Sequence, residues 1–283
     1  MKFVLEGAAL PTFLLDNFKN AFGESGDFSV RFSAPQTCVF ENIQRNQKID
    51  ALLPLAFNEK LNWAFLPNSV KFSDFALFAF DMDSTLITVE CIDELADCAG
   101  KKAEVAMITE RAMAGEIDYA QSLKERLKCL AGLDARVLSE VYEKRVQVQA
   151  GVVELMGKIH QHQSRSVILS GGFTYFTERL RIEYGFDFAT SNILEVSGGR
   201  LTGKVKGEIV DSQKKRFYLE QYAAQNNIPH EKIVAVGDGA NDWAMMQSAG
   251  LSVAFHGKET LRYKTDIAIN FGGHDVLFDF LEL

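Results

Sequence analysis

The sequence predicts an α/β protein: a doubly wound parallel sheet with an inserted helical cap and a small N-terminal α/β domain. Three observations predict it. From Gly151 onward, short apolar runs alternate with segments of helical periodicity, the pattern of a parallel sheet with right-handed crossovers. Carboxylate-bearing turns, Asp81-Met-Asp83-Ser-Thr85 and Gly237-Asp-Gly-Ala-Asn-Asp242, follow two such runs. Open α/β sheets bind ligands at these carboxyl ends of strands. Finally, residues 91 to about 149 contain strong helix formers and no proline, directly after the run at 75–80.

Residues 1–72 carry little chemical signal. Phe13-Leu14-Leu15 and the apolar stretch 51–57 suggest a mixed α/β unit, punctuated by Pro11, Pro35, Pro54 and Pro67. The turn residues Pro67-Asn68-Ser69 mark its boundary. Two readings stand about even for this unit: a regulatory or homodimerising domain, or a packing extension. The run 75–80 is apolar, aromatic-rich and short, a buried strand.

In the insert, Ile92, Leu95 and Ala96, then Cys98 and Ala99, recur at helical spacing, and further helices are expected over 103–113, 122–130 and 134–143. An all-helical insert here reads as a cap over a site, the kind of lid that excludes water. Beyond it the expected order is helix 152–162, strand 166–169, helix 173–184, a hairpin over 193–205 around Gly198-Gly199, helix 212–226, strand 233–236, helix 243–248, and strands at 251–255 and 267–270.

Length and composition fit this picture. A chain of 283 residues has a prior of about two domains. With 47% apolar and 24% charged residues it can bury a sizeable core. The net charge of -8, with no basic run interleaved with aromatics, disfavours nucleic acid. It leaves room for a small anionic substrate, because local charge can outweigh net charge. Cys38, Cys91, Cys98 and Cys129 form no CxxC pair and no zinc spacing, so they read as free thiols in a reducing compartment. Glu6 interrupts the N-terminus too early for a signal peptide, and no apolar stretch approaches the roughly 18 residues that span a bilayer. The expected location is cytoplasmic, away from membranes.

The chemistry concentrates in four places. Asp81 and Asp83 are one residue apart, so their charges repel, and a cation or a proton would relieve the cost. The plain alternative is an acidic turn in which Asp83 or Ser84 caps a helix. Ser170-Gly171-Gly172 follows a strand, where backbone N–H groups at a helix start suit a phosphate. Lys214 and Lys215 lie in the first turn of a helix and taken alone read as solvated surface. Asp238, Asn241 and Asp242 lie in the second acidic turn. Together these supply phosphoryl transfer: a carboxylate nucleophile, oxygen ligands for Mg²⁺, donors for the equatorial oxygens, and a second carboxylic acid for proton transfer.

These motifs resemble the haloacid-dehalogenase-like phosphatases, whose pattern is DxDx[TV], a Ser/Thr after a strand, a Lys, and an acidic GDxxxD-type loop. Asp81-Met-Asp-Ser-Thr85, Glu90-Cys-Ile-Asp-Glu94, Thr109-Glu-Arg-Ala-Met113, Ser170-Gly-Gly-Phe173 and Gly237-Asp-Gly-Ala-Asn-Asp242 are most similar to the branch of the family that acts on phosphoserine. The resemblance spans about residues 75–283. It implies Mg²⁺-dependent hydrolysis of O-phospho-L-serine through an aspartyl phosphate, the last step of serine biosynthesis.

The roles it implies are these. Asp81 is nucleophile and metal ligand; Asp83 is general acid/base and a ligand through its backbone carbonyl. Asp238 is the third ligand, with Asp242 in support. Ser170, Gly171 and Lys215, with Lys214 as runner-up, bind the phosphoryl group, and Asn241 helps to hold that end of the site. Glu90 and Arg126 hold the substrate's ammonium and carboxylate, and Met113 and Tyr119 line the pocket. Without the resemblance, Glu90 and Arg126 read as a surface ion pair, and Met113 and Tyr119 as cap packing. One departure is Gly257-Lys258-Glu259, where the family pattern leads one to expect a proline near position 259; His256 beside it has no assigned role. Two rival readings are a phosphotransferase passing the group to an alcohol and a phospho-accepting receiver module.

Overall fold

The computed structural model describes residues 1–23 and 28–283. The N-terminal segment runs β1 (Lys2–Glu6), α1 (Thr12–Gly23), β2 (Ser29–Ala34), β3 (Thr37–Glu41), α2 (Gln47–Asn58), β4 (Asn62–Leu66). Then come β5 (Leu77–Phe80) and four helices of the insert: α3 (Cys91–Cys98), α4 (Lys102–Met113), α5 (Tyr119–Cys129) and α6 (Val137–Arg145). The remainder alternates: α7 (Val152–Gln161), β6 (Arg165–Phe173), α8 (Thr174–Tyr184), β7 (Phe188–Ser197), β8 (Arg200–Lys206), α9 (Ser212–Gln225), β9 (Ile233–Gly237), α10 (Trp243–Met246), β10 (Leu251–Phe255), α11 (Glu259–Arg262), β11 (Ile267–Ile269), α12 (Asp275–Leu281).

Among the described residues eleven strands form one sheet, in the order β2-β3-β1-β4-β11-β10-β9-β5-β6-β7-β8. The run from β11 through β10, β9, β5 and β6 to β7 is parallel. Its strands β11, β10, β9 and β5 are buried on both faces, which explains why they read as apolar runs, whereas β7, nearer the edge, is only partly buried. In β5, Phe78 and Phe80 face one buried cluster while Leu77 and Ala79 face another. In β9, Val234 and Val236 share the first cluster, and Ile233 and Ala235 share the second. Helices α7, α8 and α12 contribute to the first layer, α9 and α10 to the second. This is the doubly wound arrangement, and it collects the strand ends of β5, β6 and β9 on one edge.

The N-terminal strands extend the same sheet. β4 joins β11 antiparallel, with Ala64 opposite Ile267. Asn62 closes the seam: its Oδ1 accepts from the amides of Asn270 (2.7 Å) and Phe271 (2.9 Å), and its Nδ2 donates to Glu6 (2.6 Å). Phe3, Leu5, Trp63 and Phe65 point into a core with α1 and α2, while Val4, Val39, Ala64 and Leu66 point into the cluster that holds Phe80.

Pro54, expected to punctuate, instead lies inside α2. A proline there forfeits a backbone bond and costs roughly 3 kcal/mol. Burial of Ile49, Leu53 and Ala56, and capping by Asn46, which accepts from the amides of Lys48 and Ile49, offset that cost. Ser170-Gly171-Gly172 also differs from a simple strand-to-helix turn. β6 runs on to Phe173, and its ladder with β7 breaks after Leu169↔Thr190 and resumes at Phe173↔Asn192. The tripeptide is therefore an irregularity within a strand, just before α8. Where a proline is expected near 259, α11 begins at Glu259; a glutamate in a first turn suits the positive end of a helix as a proline suits its fixed φ.

Candidate active site

The site is built on the end of β5. Asp81 follows its last residue, and its amide is fixed by the carbonyl of Val236 on β9 at 3.0 Å. The turn bends sharply at Ser84, a non-glycine residue in the left-handed region (φ 58°), and Ser84 Oγ donates to Glu90 at 2.7 Å. The strained backbone turns Asp83 back toward the start of α3, where its Oδ1 accepts from the Cys91 amide at 2.9 Å. The N-cap of α3 is Glu90, not Asp83 or Ser84; the bond from Cys91 occupies one carboxylate oxygen of Asp83 and leaves the other against Gly172.

The second acidic turn comes from β9. Asp242 is fully buried; its Oδ2 accepts from the amides of Asp238 and Gly239, both at 3.1 Å, so it holds its own loop closed. Its Oδ1 accepts from Lys215 Nζ at 2.7 Å, and the same ammonium reaches Asp81 Oδ1 at 2.7 Å. Lys215 is 1% exposed. Lys214, one residue away, pairs outside the site with Glu208. Asn241 reaches Asp81 only loosely, at 3.5 Å.

Electrostatics are dominated by the crowding of acids. Burial and then the Asp242 carboxylate push Asp81 up, against the pull of Lys215. Burial alone would lower Lys215, but Asp242 and Asp81 outweigh it and keep the ammonium charged. Burial, then repulsion from Glu90, pushes Asp83 up to about 7, and burial, then Asp242, pushes Asp238 up to about 6. Oxygens of Asp81, Asp238 and Asp242 lie within 4.8 Å of one another. Carboxylate oxygens are the donors a hard divalent cation takes, and a cation would relieve their repulsion, so these residues fit Mg²⁺.

Above the acids lies a cavity of about 420 Å³ walled by core and cap: Asp81, Asp83, Gly171, Gly172 and Asp238 below, and Glu90, Tyr119 and Arg126 among the residues above. Glu90 and Arg126 both line the cavity, Glu90 held by Ser84 and Arg126 with a buried Nε that has no hydrogen-bond partner. Tyr119 Oη donates to the Gly171 carbonyl at 3.1 Å, tying cap to core; burial pushes its phenol up to about 12, so it stays a donor at neutral pH. The two glycines are steric requirements. A Cβ on Gly171 would strike the Tyr119 hydroxyl, and one on Gly172 the Asp83 carboxylate.

Two expected residues sit differently. Met113 is 74% exposed and lines an adjoining cavity of about 470 Å³ between α4, α5 and the start of α9, not the one over Asp81. Ser170 is fully buried and not among the residues lining the cavity, its Oγ accepting from the Gly172 amide at 2.8 Å. Sequence reasoning missed Lys258, which lines the main cavity with Nζ 3.7 Å from Asp238. Its signal was available: it follows β10 by three residues, as Asp83 follows β5.

Residues 78–247 match the family model of the haloacid dehalogenase-like hydrolases, and the chain belongs to that family. It is 46% identical over 218 residues to a phosphoserine phosphatase of Polaromonas sp. (strain JS666), covering 75% of this chain and 92% of that one. It is 37% identical over 270 residues to a phosphoserine phosphatase of Haemophilus influenzae, covering 95% of this chain and 85% of that one. Among solved structures, a family hydrolase from Salmonella enterica serovar Typhi superposes with a TM-score of 0.86 at 28% identity, covering 99% of this chain and 98% of that one. The protein is a phosphatase of this family, and no helix among the described residues is long and apolar enough to cross a membrane.

Proposed function

We propose that this protein is a phosphoserine phosphatase, hydrolysing O-phospho-L-serine to L-serine and phosphate in the last step of serine biosynthesis. The observation that carries the reading is that Glu90 and Arg126 face the same cavity as Asp81 and Asp83, with Arg126 Nε unpartnered. An anion suits the substrate's ammonium, and a guanidinium fork suits its carboxylate. The two curated relatives named above carry the same activity in their names.

The chain's residues act as follows. Asp81 attacks phosphorus, forming an aspartyl phosphate and breaking the bond to the serine oxygen. Asp83 gives its proton to the departing alkoxide, and serine leaves. Asp83, now a carboxylate, takes a proton from water; the hydroxide attacks the phosphorus, and phosphate departs from a regenerated Asp81. Ser170, Gly171 and Lys215, with Asn241, hold the equatorial oxygens as charge redistributes. Tyr119 closes the pocket, and Met113 borders its approach. Asp81, Asp238 and the Asp83 carbonyl, with Asp242 bracing them, would hold Mg²⁺, which would supply charge neutralisation at the phosphoryl oxygens.

The buried and half-buried thiols support a cytoplasmic setting, and the N-terminal unit of residues 1–72, a regulatory or homodimerising domain or a packing extension, precedes the phosphatase domain of 73–283, with the cap at about 91–149. The test is phosphate release from O-phospho-L-serine with Mg²⁺ and with EDTA, using Asp81→Asn as control. Metal-dependent release that vanishes in the variant supports the reading. Release from an aryl phosphate but not from phosphoserine would overturn the substrate while leaving the chemistry.

A further inference from the structure

Asn192 is absent from every motif, yet its buried side chain bonds to two segments that border the site. It lies on β7 directly opposite Phe173, where the ladder resumes after the Ser170–Gly172 irregularity. It is 1% exposed, and both ends of its amide are used. Nδ2 donates to the Gly171 carbonyl at 2.7 Å, and Oδ1 accepts from the Val210 amide at 2.9 Å. This pattern also fixes which end of the amide is which, since a carbonyl can only accept and an N–H can only donate.

Both contacts lead to phosphoryl-facing groups. The Gly171 carbonyl belongs to the same peptide as the Gly172 N–H, which donates to Ser170 Oγ at 2.8 Å. That peptide plane is therefore held at both ends: at the carbonyl by Asn192 and Tyr119, at the N–H by Ser170. A serine hydroxyl has one proton and two lone pairs. With the Gly172 N–H directed onto a lone pair, the proton of Ser170 has no protein acceptor among the described residues and is left for a ligand oxygen. On the other side, Val210 precedes Asp211, whose side chain accepts from the Lys214 amide at 2.9 Å and caps α9, the helix that carries Lys215. Residues 171 and 215 are remote in sequence, and one amide spans the gap.

We propose that Asn192 is a positioning residue for phosphoryl binding: it orients the Gly171–Gly172 peptide so that Ser170 presents its proton to the phosphoryl group, and it registers that wall against the base of the Lys215 helix. The inference rests on the reading of Ser170 as a phosphoryl ligand.

The experiment is a double-mutant cycle read by calorimetric binding of inorganic phosphate in saturating Mg²⁺, with thermal melts on each protein. Asn192→Asp keeps the acceptor for Val210 and removes the donor to Gly171. The expected result is a loss of phosphate affinity of about 10-fold in Asn192→Asp and a similar loss in Ser170→Ala, with the double variant within about 3-fold of Ser170→Ala, because interacting sites are not additive. If Asn192→Asp does not fold, Asn192→Ser enters the same cycle. A merely structural role would lower the melting midpoint without changing phosphate affinity, or would multiply the two losses; either overturns the proposal. If Ser170→Ala binds phosphate like the wild type, the reading of Ser170 and this inference fall together. If only Asn192→Asp is without effect, the inference falls alone.

Discussion

Lys215 Nζ lies 2.7 Å from Asp81 Oδ1, and the ammonium is 1% exposed. A buried lysine this close to a buried carboxylate cannot be removed without leaving the acid uncompensated, and here Asp242 shares the same cation. Truncating one partner of a buried pair typically costs about 3–5 kcal/mol. Lys215→Met is expected to lower the unfolding free energy by that order and to abolish turnover. Lys214→Ala is expected to change stability by less than about 0.5 kcal/mol, since its pair with Glu208 is at the surface. Urea titration of the two variants checks the contrast; equal losses would contradict it.

Asp83 keeps a carboxylate oxygen beside Gly172 while the other accepts from Cys91. Asp83→Asn preserves the shape and removes the transferable proton. Turnover of phosphoserine should fall by about 10²- to 10⁴-fold. Leaving-group dependence provides the check: an aryl phosphate with a good leaving group should suffer less in its first step than phosphoserine does.

Metal binding is readable without catalysis. A ligand at 100 times its Kd stabilises a folded protein by about 2.7 kcal/mol. Mg²⁺ should raise the melting midpoint of the wild type, and EDTA should reverse the gain. In Asp238→Ala, where the cluster with Asp81 and Asp242 loses a member, the gain should disappear. A Mg²⁺-dependent shift that survives in that variant would place the ion elsewhere.

Glu90 and Arg126 should control substrate choice rather than chemistry. Arg126→Ala is expected to cut kcat/KM for O-phospho-L-serine by at least about 100-fold, the scale of a lost charge-assisted pair. An aryl phosphate, which has no carboxylate, should lose less than about 3-fold by the same measure of mutant kinetics. Steady-state kinetics on both substrates reads the difference.

His274 supplies a pH-dependence of stability. It is fully buried, its Nε2 donates to the Thr85 carbonyl at 2.8 Å, and its Nδ1 has no partner. Burial, the largest cause, holds its pKa down at about 4 against an ordinary 6.5. Because the folded value is depressed, the stability is whole above about pH 6.5. It drains as pH falls toward 4, where only the unfolded chain takes up the proton. The group should account for about 3 kcal/mol over that window. Chemical denaturation of wild type and His274→Gln at pH 7.5 and 4.5 checks it: the variant should show a smaller drop.

Much of the fold was legible because its causes are local. Strands such as β5 and β9 are buried on both faces, so their residues must be apolar without interruption, and the acids that follow them must lie at strand ends. The proline-free stretch after β5 became four helices for the same reason. α2 was less legible, because tertiary burial there outweighs the penalty of Pro54.

The class of sheet, the insert, and the acids and glycines that carry the chemistry can be read along the chain, since each is a pattern over neighbouring residues. Which of two adjacent lysines enters the site is settled by how α9 packs against the ends of β5 and β9. Consecutive helical residues point about 100° apart, so one faces Asp81 and the other solvent. Tertiary packing also decides that the N-terminal strands join the main sheet through Asn62, that Met113 borders the neighbouring cavity, and that Asn192 reaches Gly171. These contacts join residues distant in the chain, where no local pattern of polarity records who will meet whom.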